Sequence, residues 1–258
     1  KEQLIDGFKI IKGEINYVSR RVFRDQPRRF MRVFLLMQRH GVELHPDLAQ
    51  LLRQQVYLVD RKFRNDEHVH ETFLEILNQR GNVGRILRRM HELDFLGKYM
   101  PEFGRLTCLV QHEFYHQYTV DEHTLVCIEK LDAIYEEKLE KCRQYHDLFE
   151  QIDRPFVLYL ALLLHDAGKG IETDRHEREG ARVAEHVADR LALDAAATEC
   201  LHFVIRHHLV MVQVAQRRDL EDPQVIEQFV DFIQTKENLT LLTLHTVADS
   251  LGTSNDLW

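Results

Sequence analysis

Pro155 to Leu164 reads Pro-Phe-Val-Leu-Tyr-Leu-Ala-Leu-Leu-Leu, without a charged side chain, and His165-Asp166 follows at once. Proline at a first helical position with nine apolar residues behind it specifies a short helix buried on every side. The run is too short to cross a membrane, so the rest of the chain must wrap it. The consequence falls on the two residues at its end. An imidazole and a carboxylate enter a dry interior, where they must find partners or cost several kcal/mol. Gly168 stops the helix, and a helix C-terminus carries partial negative charge that suits a bound cation. The plain alternative is a core histidine hydrogen-bonded to its neighbouring aspartate.

A chain of 258 residues has room for one large helical unit or two smaller ones. Only 11 glycines and 5 prolines interrupt it, which favours helices over sandwiches and barrels, and no strand hairpin is expected. The net charge of −8 argues against a broad nucleic-acid surface, so no nucleic-acid partner is expected. Cys108, Cys127, Cys142 and Cys200 show no CxxC spacing and read as reduced thiols. With no signal peptide, membrane span or lipidation motif in view, a cytoplasmic protein without membrane contact is expected. Histidine is the outlier: there are 16. Eleven of them lie between His112 and His245.

Apolar periodicity places helices in order. One runs from Arg28 to His40 with Gly41 as its stop, another opens at Pro46, and two more cover about 68–79 and 83–93. Arg20, Arg21, Arg24, Arg28, Arg29 and Arg32 make a basic cluster here, either a solvated helix face or a docking surface for an acidic partner. Thr119-Val-Asp-Glu122 matches a capping box and puts His123 in the first turn of the next helix. Beyond the central run come helices over about 177–191, 195–209, 223–233 and 237–251. The expectation is an all-α chain, with an N-terminal helical array over 1–100 and a second unit over 101–258.

Seven polar residues interrupt apolar helical faces or stand at their ends: His123, His165, Asp166, His176, His207, His208 and Asp249. They come from at least five segments, so only a fold that converges them makes a site. Imidazole nitrogen with carboxylate oxygen is the donor mixture of catalytic manganese, magnesium, iron or zinc sites, and a closed structural zinc site would use cysteine. Each also has a plain reading, as a cap, a loop residue or a hydrogen-bonded core group.

In order and spacing these residues resemble the HD superfamily of metal-dependent phosphohydrolases. His123, then His165-Asp166, then Asp249 reproduce its H…HD…D pattern, and Leu164-His-Asp-Ala-Gly-Lys169 is similar to its central signature. The resemblance implies an HD-type helical core in which His123, His165, Asp166 and Asp249 ligate one divalent metal. Asp166 would bridge to a second ion held by His176, His207 and His208. Manganese, magnesium or iron is expected, with zinc compatible. Lys169 would neutralise charge on the substrate phosphate, with Arg206 a weaker candidate for the same role.

Further stretches narrow the resemblance. Phe30-Met-Arg-Val-Phe34, Tyr99-Met-Pro-Glu-Phe-Gly-Arg105, Tyr118-Thr-Val-Asp-Glu-His-Thr124, Arg206-His-His-Leu209 and Ala215-Gln-Arg-Arg-Asp219 resemble the HD region of the bacterial PII uridylyltransferase/uridylyl-removing family. That family carries a nucleotidyltransferase domain before this region and ACT domains after it, so the chain is expected to be a fragment of something longer. The implied reaction is hydrolysis of a uridylyl-tyrosine phosphodiester on the PII signalling protein. Ala167-Gly168 and Ser250-Leu251 depart from the family pattern, which bears on substrate contacts more than on the metal ligands. Competing readings are a phosphohydrolase of a free or cyclic nucleotide and a regulatory module that binds metal or nucleotide without turnover. His207-His208 is followed by Leu209-Val-Met-Val212, without a Glu, and no Gly-Tyr-Pro lies downstream, which counts against a cyclic dinucleotide.

Overall fold

A computed structural model describes residues 2–110, 118–170, 176–217 and 221–253. Arg218 and Asp219 of the fifth family-like stretch lie outside these residues. So does the side chain of His176, whose backbone starts a helix.

The architecture is all-α with a small sheet at its N-terminal end. Strands β1 (Gln3–Ile5), β2 (Phe8–Ile11), β3 (Glu14–Tyr17) and β4 (Glu43–Leu44) lie in that order, with β4 parallel to β3 and the other pairs antiparallel. The sequence reading expected no hairpin here. Two tight turns make them: Asp6 and Gly7 have φ of 47° and 82°, and Lys12 and Gly13 have 51° and 85°. Paired positive φ values are those of the type I′ turn, for which Asp-Gly is a strong signal. Phe8 and Ile15 are fully buried beneath the sheet.

Numbering helices of eight or more described residues, α1 is Arg29–His40, α2 Pro46–Gln55, α3 Glu67–Leu77 and α4 Gly84–Glu92. Then come α5 Val120–Tyr135, α6 Pro155–Leu164, α7 His176–Arg190 and α8 Ala195–His207. The set closes with α9 Val210–Arg217, α10 Pro223–Ile233 and α11 Lys236–Thr253. Local signals set most starts and stops. Pro46, Pro155 and Pro223 occupy first turns, Gly41 ends α1 at φ 61°, and Asp66 caps α3 by accepting the His68 and Val69 amides. The capping box is not made. Thr119 is the N-cap of α5 but its side chain makes no cap hydrogen bond. Glu122 is held instead by Arg88 of α4 at 2.9 Å, so it cannot reach back.

Helix α6 is the axis of the core. Nine of its ten residues are buried, and it packs against α3, α5, α8 and α11. Each buried leucine there contributes roughly 1.5–3 kcal/mol. One apolar cluster runs from Phe8 through the rings of Phe30, Phe34, Phe95 and Tyr99 to Ala248. Four of the six clustered arginines are spent on carboxylates: Arg21 on Asp25, Arg28 on Asp66, and Arg29 and Arg32 on Asp6. Among the described residues no helix is long and apolar enough to cross a membrane.

Helix α11 lies close along α5, and Gly252 permits it. A Cβ there would sit 2.3 Å from Cys127 Sγ and 3.2 Å from Cys127 Cα. Gly252→Ala must push the helices apart, at a cost of about 1–3 kcal/mol. We expect its melting temperature to fall by roughly 2–10 °C in calorimetry. An unchanged melting temperature would show that the contact gives way freely.

Candidate metal centre

His165 is the C-cap of α6 and fully buried. Its Nδ1 lies 2.7 Å from the Leu162 carbonyl oxygen, which fixes the Nδ1–H tautomer and leaves Nε2 with its lone pair. That nitrogen lies 3.4 Å from Asp166 Oδ2 and 3.7 Å from Asp249 Oδ1. His123 comes from the first turn of α5, and its Nε2 is 2.9 Å from Asp249 Oδ1. Ligand atoms of His123, His165 and Asp249 lie within 4.8 Å of one another. Asp166, 2% exposed, turns Oδ2 to Lys169 Nζ at 2.8 Å, while its Oδ1 is buried without a hydrogen-bond partner. The side chains of Asp249 and Lys169 are 20% and 18% exposed, against 1% for His165, so the centre meets solvent on their side.

The end of α8 adds one histidine of its pair. His208 is buried, with Nδ1 2.7 Å from the Ile205 carbonyl oxygen and its ring 5.4 Å from that of His165. His207 points elsewhere. Its ring packs on Phe203 and, edge-on at 4.7 Å, on Phe232 of α10. Consecutive helical residues differ by about 100° in direction, so one turn cannot aim both inward. The exposed Arg206 lines that same outer hollow with His207. The structure thus gathers His123, His165, Asp166, His208 and Asp249, and leaves His207 and Arg206 outside the cluster. Helix α7 begins at His176, and one turn later Gly180 brings the helix against the His165 carbonyl, where a Cβ would stand 3.4 Å away.

Sequence reasoning missed His245. It lies on α11 one turn before Asp249, is fully buried, and holds its ring 5.2 Å from that of His165 and 5.9 Å from that of His208. Its spacing from Asp249 was the available signal, since residues four apart share a helix face.

The electrostatics suit a cation. Burial would raise the pKa of Asp166, but His165 and the Lys169 ammonium outweigh it and hold the carboxyl below its ordinary range. Burial likewise opposes ionisation of Asp249, and the His123 hydrogen bond holds it well below the usual carboxylate value. Burial pushes His208 and His245 down, so both offer neutral imidazole. Burial together with Asp249 and Asp166 pushes the Cys127 thiol well up, which removes it as a ready thiolate beside His123. Two carboxylates and the neutral imidazoles of His208 and His245, with one carboxylate oxygen left without a donor, fit a divalent metal.

The HD domain family description matches residues 120–251, about half of the chain. This chain belongs to the HD domain family. HD domains are metal-dependent phosphohydrolases, and the donor set lies where the H…HD…D pattern requires it. The family description of the uridylyltransferase GlnD third domain matches residues 8–99. The bifunctional uridylyltransferase/uridylyl-removing enzyme of Ruegeria pomeroyi is 37% identical over 259 residues, covering 100% of this chain. That of Cereibacter sphaeroides is 36% identical over 260 residues, again covering 100%. The chain spans 28% of the length of each of these relatives. Among solved structures, a CCA-adding enzyme of Thermotoga maritima complexed with tRNA superposes with a TM-score of 0.54 at 18% identity. It covers 92% of this chain and 47% of that one. A CCA-adding enzyme in an apo form superposes with a TM-score of 0.57 at 16% identity, covering 92% and 46%. At those identities the likeness shows a shared helical fold.

Proposed function

We propose that this HD domain is the uridylyl-removing part of a longer enzyme and hydrolyses the phosphodiester joining a uridylyl group to a tyrosine of a PII-like signalling protein. The observation that carries the chemistry is the convergence of His123, His165, Asp166 and Asp249, with the buried Asp166 Oδ1 left open. The uridylyl group rests on the names of the relatives that match along the whole chain. We further propose the division into a helical region over 1–100 and the HD unit over 101–258.

His123, His165, Asp166 and Asp249 would hold one divalent ion, and Asp166 would share its second oxygen with another, together with His208 and His176. Manganese, magnesium or iron suits these donors, and zinc is compatible. Bound divalent ions lower the pKa of water and draw off phosphate charge during in-line attack. His165 and His208 keep Nε2 available through the carbonyl contacts of their Nδ1. The water oxygen joins phosphorus as the bond to the tyrosine oxygen breaks, and UMP leaves as the tyrosine takes a proton. Lys169 stands at the exposed edge, 2.8 Å from Asp166, where its ammonium meets the incoming phosphate.

Lys169→Met separates these roles. It removes a phosphate contact and also a cation that competes for Asp166. We expect turnover of bis-(p-nitrophenyl) phosphate to fall about 10–100-fold while metal content is kept. A variant that loses its metal would make Lys169 a positioning group for Asp166. Turnover of this diester by the metal-loaded parental chain tests the function itself, and metal content without any turnover would favour a regulatory module.

A further inference from the structure

His245 is the least explained polar group in the molecule. It is 0% exposed, and neither ring nitrogen has a hydrogen-bond partner. A buried polar group without a partner costs about 1–3 kcal/mol, and such groups in folded proteins call for a reason. An apolar residue would fit better here, since the neighbouring stripe is Leu241, Leu244 and Ala248.

The surroundings supply the reason. His245 and Asp249 stand one turn apart on α11, which packs against both α5 and α6. The rings of His165, His208 and His245 form a triangle with edges of 5.2, 5.4 and 5.9 Å. Imidazoles sharing one ion through bonds of about 2.1 Å have ring centres roughly 4.5–5.5 Å apart. The two edges that meet at His165 fall in that range, and the His208–His245 edge is wider. His165 and His208 each engage a backbone carbonyl through Nδ1, which leaves Nε2 as the donor atom. Asp166 Oδ1 is a further open oxygen at the same centre. His207, by contrast, is occupied with Phe203 and Phe232.

We propose that His245 is a metal ligand of this centre, sharing an ion with His165. The inference rests on the metal-centre reading above and adds a residue outside the H…HD…D pattern. It makes α11 a two-ligand helix, with His245 and Asp249 one turn apart.

The test is calorimetric and spectroscopic titration of the metal-free chain with Co2+, alongside His245→Leu and His245→Gln. The parental chain should bind two ions. Both variants should lose one, or bind it at least about ten-fold more weakly, and lose the matching part of the visible cobalt spectrum. Metal-free His245→Leu should melt at or above the parental temperature, because leucine removes two unpartnered nitrogens; a lost ion then reflects a lost ligand, with the fold intact. Variants that take up as many ions as the parent, with affinities changed by less than that factor, overturn the inference and leave the metal centre standing. A parental chain that binds no Co2+ overturns both.

Discussion

Asp166→Ala should lose bound metal and lower diester hydrolysis by about 10³-fold or more, roughly 4 kcal/mol of transition-state stabilisation. Among the described residues, Asp166 is the carboxylate at the centre with a buried oxygen that accepts no hydrogen bond, and its other oxygen is neutralised by Lys169. Such a group adds little to the packing of the metal-free chain. The substitution should therefore leave helical circular dichroism and the metal-free melting temperature nearly unchanged. Metal analysis, turnover and melting on one preparation separate the outcomes. Undiminished metal in the variant would remove Asp166 from the ligand set, and a collapsed melting temperature would make it a structural aspartate.

Asp132→Ala should have the largest effect on stability. Asp132 of α5 ties the start of α4 to α6. Its Oδ2 accepts the amides of Val83 and Gly84 at 3.0 and 2.6 Å, and its Oδ1 accepts the Tyr159 hydroxyl of α6 at 2.5 Å. That hydroxyl in turn accepts the Gly81 amide at 3.1 Å. Alanine leaves three buried donors without an acceptor, a loss of about 3–5 kcal/mol. For a chain of this size the melting temperature should drop by roughly 6–15 °C. Asp132→Asn keeps an acceptor for the two amides and should cost about 1–2 kcal/mol.

The same residue gives the fold a pH dependence. Burial pushes the Asp132 carboxyl up to about 6 from an ordinary 3.8, against the pull of Tyr159 and the two amides. A raised acid binds its proton more tightly folded than unfolded. Its contribution to stability is complete below the unfolded value near 3.8 and is lost as pH rises through about 6. The span corresponds to roughly 3 kcal/mol. Urea melts from pH 4 to pH 7 should show the parental chain losing this stability relative to Asp132→Asn. Parallel curves would mean that Asp132 stays ionised throughout.

Where the fold could be read from sequence, the signal was local. Proline starts α2, α6 and α10 and Gly41 stops α1, because these residues act on their own backbone and need no partner. The apolar run of α6 had one solution, burial, and with it the placing of His165 and Asp166. Local signals also misled. The Thr119 capping box fails because Arg88, thirty-four residues earlier, takes Glu122. The hairpins escaped notice although Asp6-Gly7 marked one turn, because strands of three or four residues are too short for alternation to stand out.

The site divides along the same line. His123, His165, Asp166 and Asp249 could be picked out because their order resembles the H…HD…D pattern; singly, each could equally be a cap or a hydrogen-bonded core group. Which member of His207-His208 turns inward depends on the rotation of α8 against α6, and that is settled by the packing of Val204 and Ile205 in the core. His245 depends on three helices meeting, and in sequence it is one histidine among 16.

Removal of uridylyl groups by this metal centre is the reaction we propose. The most direct measurement incubates the metal-loaded chain with uridylylated PII protein and follows release of UMP, with Asp166→Ala alongside. UMP release and recovery of unmodified PII are expected, both lost on chelation and absent from the variant. Cleavage of a small diester with no UMP release from PII would contradict the substrate, and UMP release undiminished in Asp166→Ala would contradict the site.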